Sequence, residues 1–182
     1  MLVDYIEASQ ILSSLTEELD QKYTSFDFSE HFREDHHTGK WLVSNIKSFE
    51  GRKDGKSQSN EYSYDKKICE LPHTKDFLEK YFSSARRIRL MLLRANHSIL
   101  WHYDSLESAD FGVSRIHIPI RTSKAVVTTI FNNSSYWRPF RIYYGDFSFP
   151  HRVDNKSNSD WLHLVIDYEG DIHPFFSGSK IF

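Results

Sequence analysis

The sequence predicts a mainly β domain with flanking helices, either an antiparallel sandwich or a jelly-roll barrel. The chain has 182 residues, about the length of one domain, and its 39% hydrophobic and 26% charged residues are typical of a folded globular protein. After about residue 86 it breaks into short segments rich in β-branched and aromatic residues, which Asn and Gly separate. Many short, evenly spaced strands are typical of sandwiches and jelly rolls.

Six strands are predicted in this second half of the chain, and a seventh is predicted before it. They cover residues 41–49, 87–94, 97–103, 113–120, 125–131, 140–144 and 161–168. We expect residues 86–182 to form the β core. Residues 1–85 would then pack on it as helical and strand elements, so that the whole chain makes one globular domain.

Two helices are predicted in the first half. The first twenty residues place four aliphatic side chains on one helix face, namely Ile11, Leu12, Leu15 and Leu19. A second helix is predicted to begin with Thr74 as its N-cap. Between these helices, residues 50–60 carry no aliphatic or aromatic side chain. They predict a solvated loop, which is either a lid over the barrel mouth or a plain surface loop.

Composition and charge exclude several classes of function. Lys and Arg number 23 against 25 Asp and Glu, for a net charge of -2, which excludes a general nucleic-acid binder. The single cysteine, Cys69, excludes an intramolecular disulfide. No segment resembles a signal peptide or a membrane span, so we expect a soluble cytoplasmic protein without a membrane partner. With ten histidines, any metal site should use imidazole and carboxylate ligands.

A candidate metal site lies in the predicted strands. His102 and Asp104 are two residues apart, so a strand would point both to the same face. In a jelly roll, a late strand can return beside an early one and bring His151 to that face. Two imidazoles and one carboxylate leave three positions of an octahedral ion open, which suits a non-haem ferrous oxygenase. Asp35, His36 and His37 form a weaker candidate, for which a polar loop is the favoured interpretation.

Five elements between residues 86 and 168 follow in a characteristic order. They are H-Y-D at 102–104, R-I-H-I-P-I at 115–120, G-D-F at 145–147, H-R-V-D-N at 151–155 and H-L-V-I-D at 163–167. In order and spacing this region resembles the aspartyl/asparaginyl β-hydroxylase family, which includes bacterial cis-prolyl hydroxylases. Trp41 and its strand, ending at Gly51, also resemble the tryptophan strand of prolyl-hydroxylase relatives.

The resemblance implies a double-stranded β-helix of the cupin-like jelly-roll type. It also implies an enzyme that uses Fe(II), 2-oxoglutarate and dioxygen to hydroxylate a small-molecule amino acid or a peptide substrate. His102, Asp104 and His151 would be the iron ligands. Arg115 and His117 match the family's R-x-H motif, whose side chains lie beside the cosubstrate or the substrate. On one strand face, both can donate to a carboxylate. The alternative is a salt bridge and a core histidine.

One departure from the family concerns the cosubstrate. Family members place an arginine ten residues after the distal histidine, where it binds the remote carboxylate of 2-oxoglutarate, and here that position is Trp161. Its partner position, often a small hydroxyl residue, is Met91. Arg89 or Arg94 are alternative sources of positive charge. The departure keeps two other interpretations open: an iron oxygenase with a different cosubstrate, and a jelly-roll binding or structural module without turnover.

Overall fold

The computed structural model describes residues 5–49, 62–104 and 112–172, so the predicted loop at 50–60 and Gly51 lie outside the described residues. Within them the chain forms two α-helices, α1 (Tyr5–Lys22) and α2 (Pro72–Tyr81), three short 3-10 turns and eleven strands. The strands are β1 (Ser29–Glu30), β2 (Trp41–Phe49), β3 (Tyr62–Tyr64), β4 (Ala85–Leu93), β5 (Ser98–His102), β6 (Ser114–Arg121), β7 (Val126–Ile130), β8 (Asn133–Ser135), β9 (Tyr143–Tyr144), β10 (His151–Asn155) and β11 (Trp161–Tyr168). No described helix has the length and apolar character needed to cross a membrane.

The strands form two antiparallel sheets. The larger sheet has the order β1-β2-β4-β11-β6-β9, with β3 paired to β2, and the smaller sheet has the order β5-β10-β7-β8. From β4 onward the chain passes back and forth between the two sheets, four strands going to each. This is the topology of a double-stranded β-helix, and the predicted mainly β jelly roll is confirmed.

Most predicted strands agree with the structure to within two residues, but one predicted strand is largely wrong, and the strand that carries His151 was not predicted. Of the predicted strand 140–144, only Tyr143–Tyr144 pairs with a neighbour, because Phe140 has a positive φ of 58° that breaks an extended backbone. The segment His151–Asn155 is a strand that was not among the predicted ones. Its polar sequence lacks the run of β-branched residues that predicts a strand.

The central strand β11 is buried on both faces. Its residues Leu162, Leu164 and Ile166 belong to a core that includes both helices, whereas Trp161 and Val165 belong to a second core between the two sheets. Side chains alternate between the faces of a strand, so one eight-residue segment supports both cores. The face that carries Trp161 is the one that meets the smaller sheet.

The two helices cover the outer face of the larger sheet. Leu12, Leu15 and Leu19 of α1 are buried in the same core as Phe77 and Leu78 of α2. This confirms the amphipathic pattern predicted for the first helix, and the face of α1 that packs is the predicted one.

The predicted cap of α2 is wrong. The helix begins at Pro72, which suits a first helical position, and Thr74 lies inside its first turn. A carboxylate from α1 replaces the local cap. Glu18 accepts hydrogen bonds from the backbone N–H groups of His73 (3.1 Å) and Thr74 (2.8 Å), and from the Thr74 hydroxyl (2.6 Å). A cap supplied by another helix has no local sequence signal.

On the inner face of the larger sheet, one carboxylate joins three strands. Asp167 of β11 accepts hydrogen bonds from Arg87 Nε (2.6 Å) and Arg89 Nη2 (3.2 Å) of β4, and from Arg115 Nε (2.9 Å) of β6. Burial by itself raises the pKa of Asp167, but the charges of Arg115, Arg89 and Arg87 outweigh it and hold that pKa well below its usual range. The carboxylate is therefore ionised wherever the protein is folded near neutral pH.

Replacing Glu18 with Ala should lower the free energy of unfolding by about 1–3 kcal/mol, because the first turn of α2 loses its hydrogen-bond acceptor. Urea unfolding at neutral pH measures this. Glu17→Ala is the matched control, since Glu17 is exposed and bonds to Ser13 of its own helix. Equal stability of the two variants would contradict the capping role.

Replacing Asp167 with Asn should lower the free energy of unfolding at pH 7 by about 3–5 kcal/mol, because three guanidinium groups lose their shared anion. A carboxyl group whose pKa is lowered by folding stabilises the fold at pH values above its unfolded pKa, which is about 3.9 for Asp. This stabilisation is lost as the pH falls toward the pKa of the folded state. The difference in the free energy of unfolding between wild type and variant should therefore narrow below about pH 4. The control is Asp27→Asn, which breaks an exposed ion pair with Lys67 and should change little. A difference in the free energy of unfolding that does not depend on pH would contradict this account.

Candidate active site

The structure brings His102, Asp104 and His151 together between the two sheets. His102 ends β5 and His151 begins β10, and the two are register partners in the smaller sheet. Asp104 follows two residues after His102, and its backbone N–H donates to the carbonyl of Phe147 (2.9 Å). Sheet pairing thus places the two imidazoles side by side, and a backbone hydrogen bond places the carboxylate.

The three side chains present their ligand atoms to one point. His102 Nε2 lies 3.9 Å from Asp104 Oδ1, and His151 Nε2 lies 3.9 Å from Asp104 Oδ2. One ligand atom from each residue lies within 4.8 Å of the others. Within the described part of the chain, this is the one group of three or more His, Cys, Asp or Glu residues close enough to hold an ion.

Both histidines are held in the tautomer that a metal requires. His102 Nδ1 lies 2.7 Å from the carbonyl oxygen of Leu100, and His151 Nδ1 lies 3.0 Å from that of Phe149. Because a carbonyl can only accept, each Nδ1 carries a hydrogen, and in the neutral ring Nε2 is then the nitrogen that can bind a metal. Burial, followed by the neighbouring His102, lowers the pKa of His151 to about 4, so that ring is neutral at pH 7.

Arg115 lies beside this group and orients its carboxylate. Its Nη1 donates to Asp104 Oδ2, and its Nε donates to Asp167. Arg115 therefore forms the salt bridge that was considered as an alternative, and its predicted role beside a cosubstrate stays a prediction. The guanidinium links the candidate metal site to the ion cluster of the larger sheet.

A cavity of about 260 Å³ opens in front of these residues, between the sheets. A space of this size takes a small molecule. Its lining combines histidines, arginines and aromatic side chains, among them His31, Trp41, Arg89, Met91, His102, Asp104, Arg115, His117, Trp137, Phe147, His151, Trp161 and His163.

His117 is buried in the cavity wall, one ring away from the candidate metal site. Its ring lies 4.8 Å from that of Phe147, which lies 4.8 Å from that of His151. Its Nδ1 lies 3.0 Å from Nδ1 of His163. Burial, and then the charges of His163 and Arg115, lower the pKa of His117 well below its usual value. The ring is therefore neutral.

The positions that depart from the family also line the cavity. The Trp161 ring stacks on His163 with ring centroids 3.9 Å apart, and Met91 is the register partner of His163 on β4. Of the two arginines considered as replacements, Arg89 lines the cavity. Arg94 does not contribute to the lining and forms an exposed ion pair with Asp160 (2.6 Å).

The cavity contains three further histidines: His31 and His163, for which no chemical role was predicted, and His36, which belonged to the weaker metal candidate. His36 packs against His102 with ring centroids 4.7 Å apart, and His31 stacks on Trp41 at 3.8 Å. Burial, followed by the charge of Arg89, lowers the pKa of His31 to about 3. Strand alternation could have found His163, because it faces the same way as Trp161. His31 and His36 lie outside the long strands, so periodicity carries no signal for them.

Comparisons with known proteins show similarity to hydroxylases in sequence and to oxygenases in fold. The chain is similar to the L-proline cis-4-hydroxylase of Rhizobium meliloti (strain 1021), with 28% identity over 106 residues. That match covers 57% of this chain and only 38% of the enzyme's length. Among solved structures, an oxidoreductase of the 2OG-Fe(II) oxygenase family from Burkholderia pseudomallei superposes with a TM-score of 0.52 at 12% identity. The superposition covers 84% of this chain and 77% of the Burkholderia pseudomallei chain, which shows that the two share a jelly-roll fold.

The family profile for aspartyl/asparaginyl beta-hydroxylases matches residues 8–171, which is most of the chain. Its extent goes well beyond the region that carries the five sequence elements. The chain therefore belongs to the aspartyl/asparaginyl beta-hydroxylase family.

Proposed function

We propose that this protein is an Fe(II)- and 2-oxoglutarate-dependent dioxygenase that hydroxylates an amino acid, either free or within a peptide. In this proposal His102, Asp104 and His151 hold the iron. One observation carries it: two Nε2 lone pairs and a carboxylate converge on one point, while backbone carbonyls fix both imidazole tautomers.

The residues present fit a ferrous ion. Two neutral imidazoles and one carboxylate are the ligands of non-haem ferrous oxygenases, and they leave positions for small ligands. The carbonyls behind both rings are the outer partners that ligating histidines normally have. When bound, the iron supplies dioxygen activation for C–H hydroxylation, and the cosubstrate supplies two electrons through oxidative decarboxylation.

The rest of the cavity binds and positions ligands. Four arginines line it, namely Arg33, Arg87, Arg89 and Arg115, whereas its lining carboxylate is Asp104, with Asp167 beside Arg87, Arg89 and Arg115. The four guanidinium groups thus exceed the two carboxylates in charge, which favours anionic ligands such as a 2-oxoacid or an amino acid. Aromatic side chains, among them Trp41, Trp137 and Phe147, also line the space in front of the candidate ligands.

A small amino acid is the favoured substrate class. The similar enzyme of Rhizobium meliloti is named for its action on L-proline, and the cavity volume suits a molecule of that size. Trp161 favours one alternative within the same class, an iron oxygenase that uses a different 2-oxoacid. It also favours a binding module without turnover.

His102→Ala and His151→Ala should each weaken Fe(II) binding by about a hundredfold or more. Loss of an outer partner alone costs ten- to hundredfold in metal affinity, and loss of a ligand costs more. Anaerobic calorimetric titration measures this, with circular dichroism as the check of folding. His73→Ala is the control, because His73 is exposed on α2 and lies outside the cavity. Unchanged iron affinity in folded His102→Ala protein would contradict the proposed ligand set.

Adding 2-oxoglutarate to the anaerobic Fe(II) protein should produce a visible metal-to-ligand charge-transfer band. With dioxygen and a substrate, the protein should then form succinate in step with the hydroxylated product. A panel of free amino acids that includes L-proline, tested beside short peptides, separates the two substrate classes. Iron binding without the band would favour another 2-oxoacid, and no iron binding would leave the binding module.

A further inference from the structure

Two buried polar atoms near the start of β11 form no hydrogen bond with the residues that the structure describes. They are Trp161 Nε1 and His163 Nε2. Their side chains are 1% and 2% exposed, respectively. A buried donor without a partner costs free energy, so a pair of them in a cavity wall points to a ligand that accepts from both.

The two groups belong to one place in the cavity. Trp161 and His163 are separated by two positions on β11, face the same way, and both line the cavity. Their rings are stacked at 3.9 Å with an interplanar angle of 24°. A single small group can therefore contact both rings.

The contact with His117 permits His163 to be a donor. The Nδ1 atoms of these rings are 3.0 Å apart, so one of them carries a hydrogen and the other accepts it. When His117 donates, His163 accepts at Nδ1 and carries its own hydrogen at Nε2. Trp161 Nε1 is always a donor. The wall can then offer two neutral N–H groups, one from each of two stacked rings.

The electrostatics of this wall favour an anion. The charges of Arg89 and Arg115, after burial, lower the pKa of His163 to about 3, so positive potential from both arginines reaches its ring. Asp104 is the one acidic side chain among the described cavity-lining residues, and it belongs to the candidate metal site. Nothing anionic in the lining competes for the two N–H groups.

We infer that Trp161 Nε1–H and His163 Nε2–H together bind the remote carboxylate of a dicarboxylic 2-oxoacid. The inference rests on the proposed function, and it assigns to two neutral donors the task that a guanidinium performs in relatives with arginine at this position. It makes His163 a cosubstrate-binding residue and His117 the positioning residue that sets its tautomer.

The test measures how much the remote carboxylate contributes to binding. Anaerobic Fe(II) protein is titrated calorimetrically with 2-oxoglutarate and with 2-oxobutyrate, which lacks that carboxylate. Wild type should bind 2-oxoglutarate at least tenfold more tightly, since hydrogen bonds to a charged group are strong. Comparing two ligands within each variant cancels any general loss of folding or iron.

Two variants remove one donor each and two serve as controls. Trp161→Phe keeps the stacked ring without the N–H, and His163→Asn keeps a polar group at the Nδ1 position only. Both should reduce the preference for 2-oxoglutarate about tenfold. His163→Gln retains an N–H near the Nε2 position and should keep most of the preference. Arg94→Ala removes a nearby charge outside the cavity and should keep all of it.

The outcomes separate this inference from the proposed function. A strong preference that survives both Trp161→Phe and His163→Asn overturns the inference and leaves the dioxygenase intact. Equal binding of the two oxoacids also overturns it and indicates a monocarboxylic cosubstrate. Iron binding without 2-oxoglutarate binding overturns the inference together with the proposed cosubstrate. A protein that binds no iron overturns the proposed function itself.

Discussion

The buried carboxylate of Asp167 is the interaction on which the architecture of the cavity depends. It holds Arg87 and Arg89 of β4 and Arg115 of β6 against β11, so three neighbouring strands of the larger sheet share one anion. Arg115 continues the chain of contacts to Asp104. The packing of the sheet and the orientation of the candidate ligand carboxylate therefore depend on the same group, because one guanidinium serves both.

Strand β11 shows how a single segment can build a core and a cavity together. One row of its side chains, exemplified by Leu164, packs beneath the helices, while the other row carries Trp161, His163 and Asp167 toward the smaller sheet. A substitution on the first row acts on stability through packing, whereas one on the second row changes the chemistry of the cavity. The period of two in a strand keeps these roles apart.

The cavity combines neutral histidines with a surplus of guanidinium groups. Burial keeps the pKa values of His31, His151 and His163 at about 3 to 4, so these rings are uncharged donors or acceptors at neutral pH. Such rings suit metal ligation and directional hydrogen bonding, and the arginines supply the field that attracts carboxylates. The chemical character of the site thus comes from fixed tautomers and a positive potential, and no histidine among these three needs to titrate.

Local sequence was sufficient for most strands of the jelly roll, the amphipathic face of α1 and the pairing of His102 with Asp104, because periodicity and motif spacing are encoded within short segments. His151 joined them only through the expected return of a late jelly-roll strand. Local sequence was insufficient wherever distant segments meet. The cap that Glu18 supplies to α2 and the contact of His163 with His117 each join two different elements, as do the positions of His31 and His36 at the cavity. Only tertiary packing decides which tautomer a histidine adopts and which buried donor lacks a partner, since both depend on neighbours that are remote along the chain.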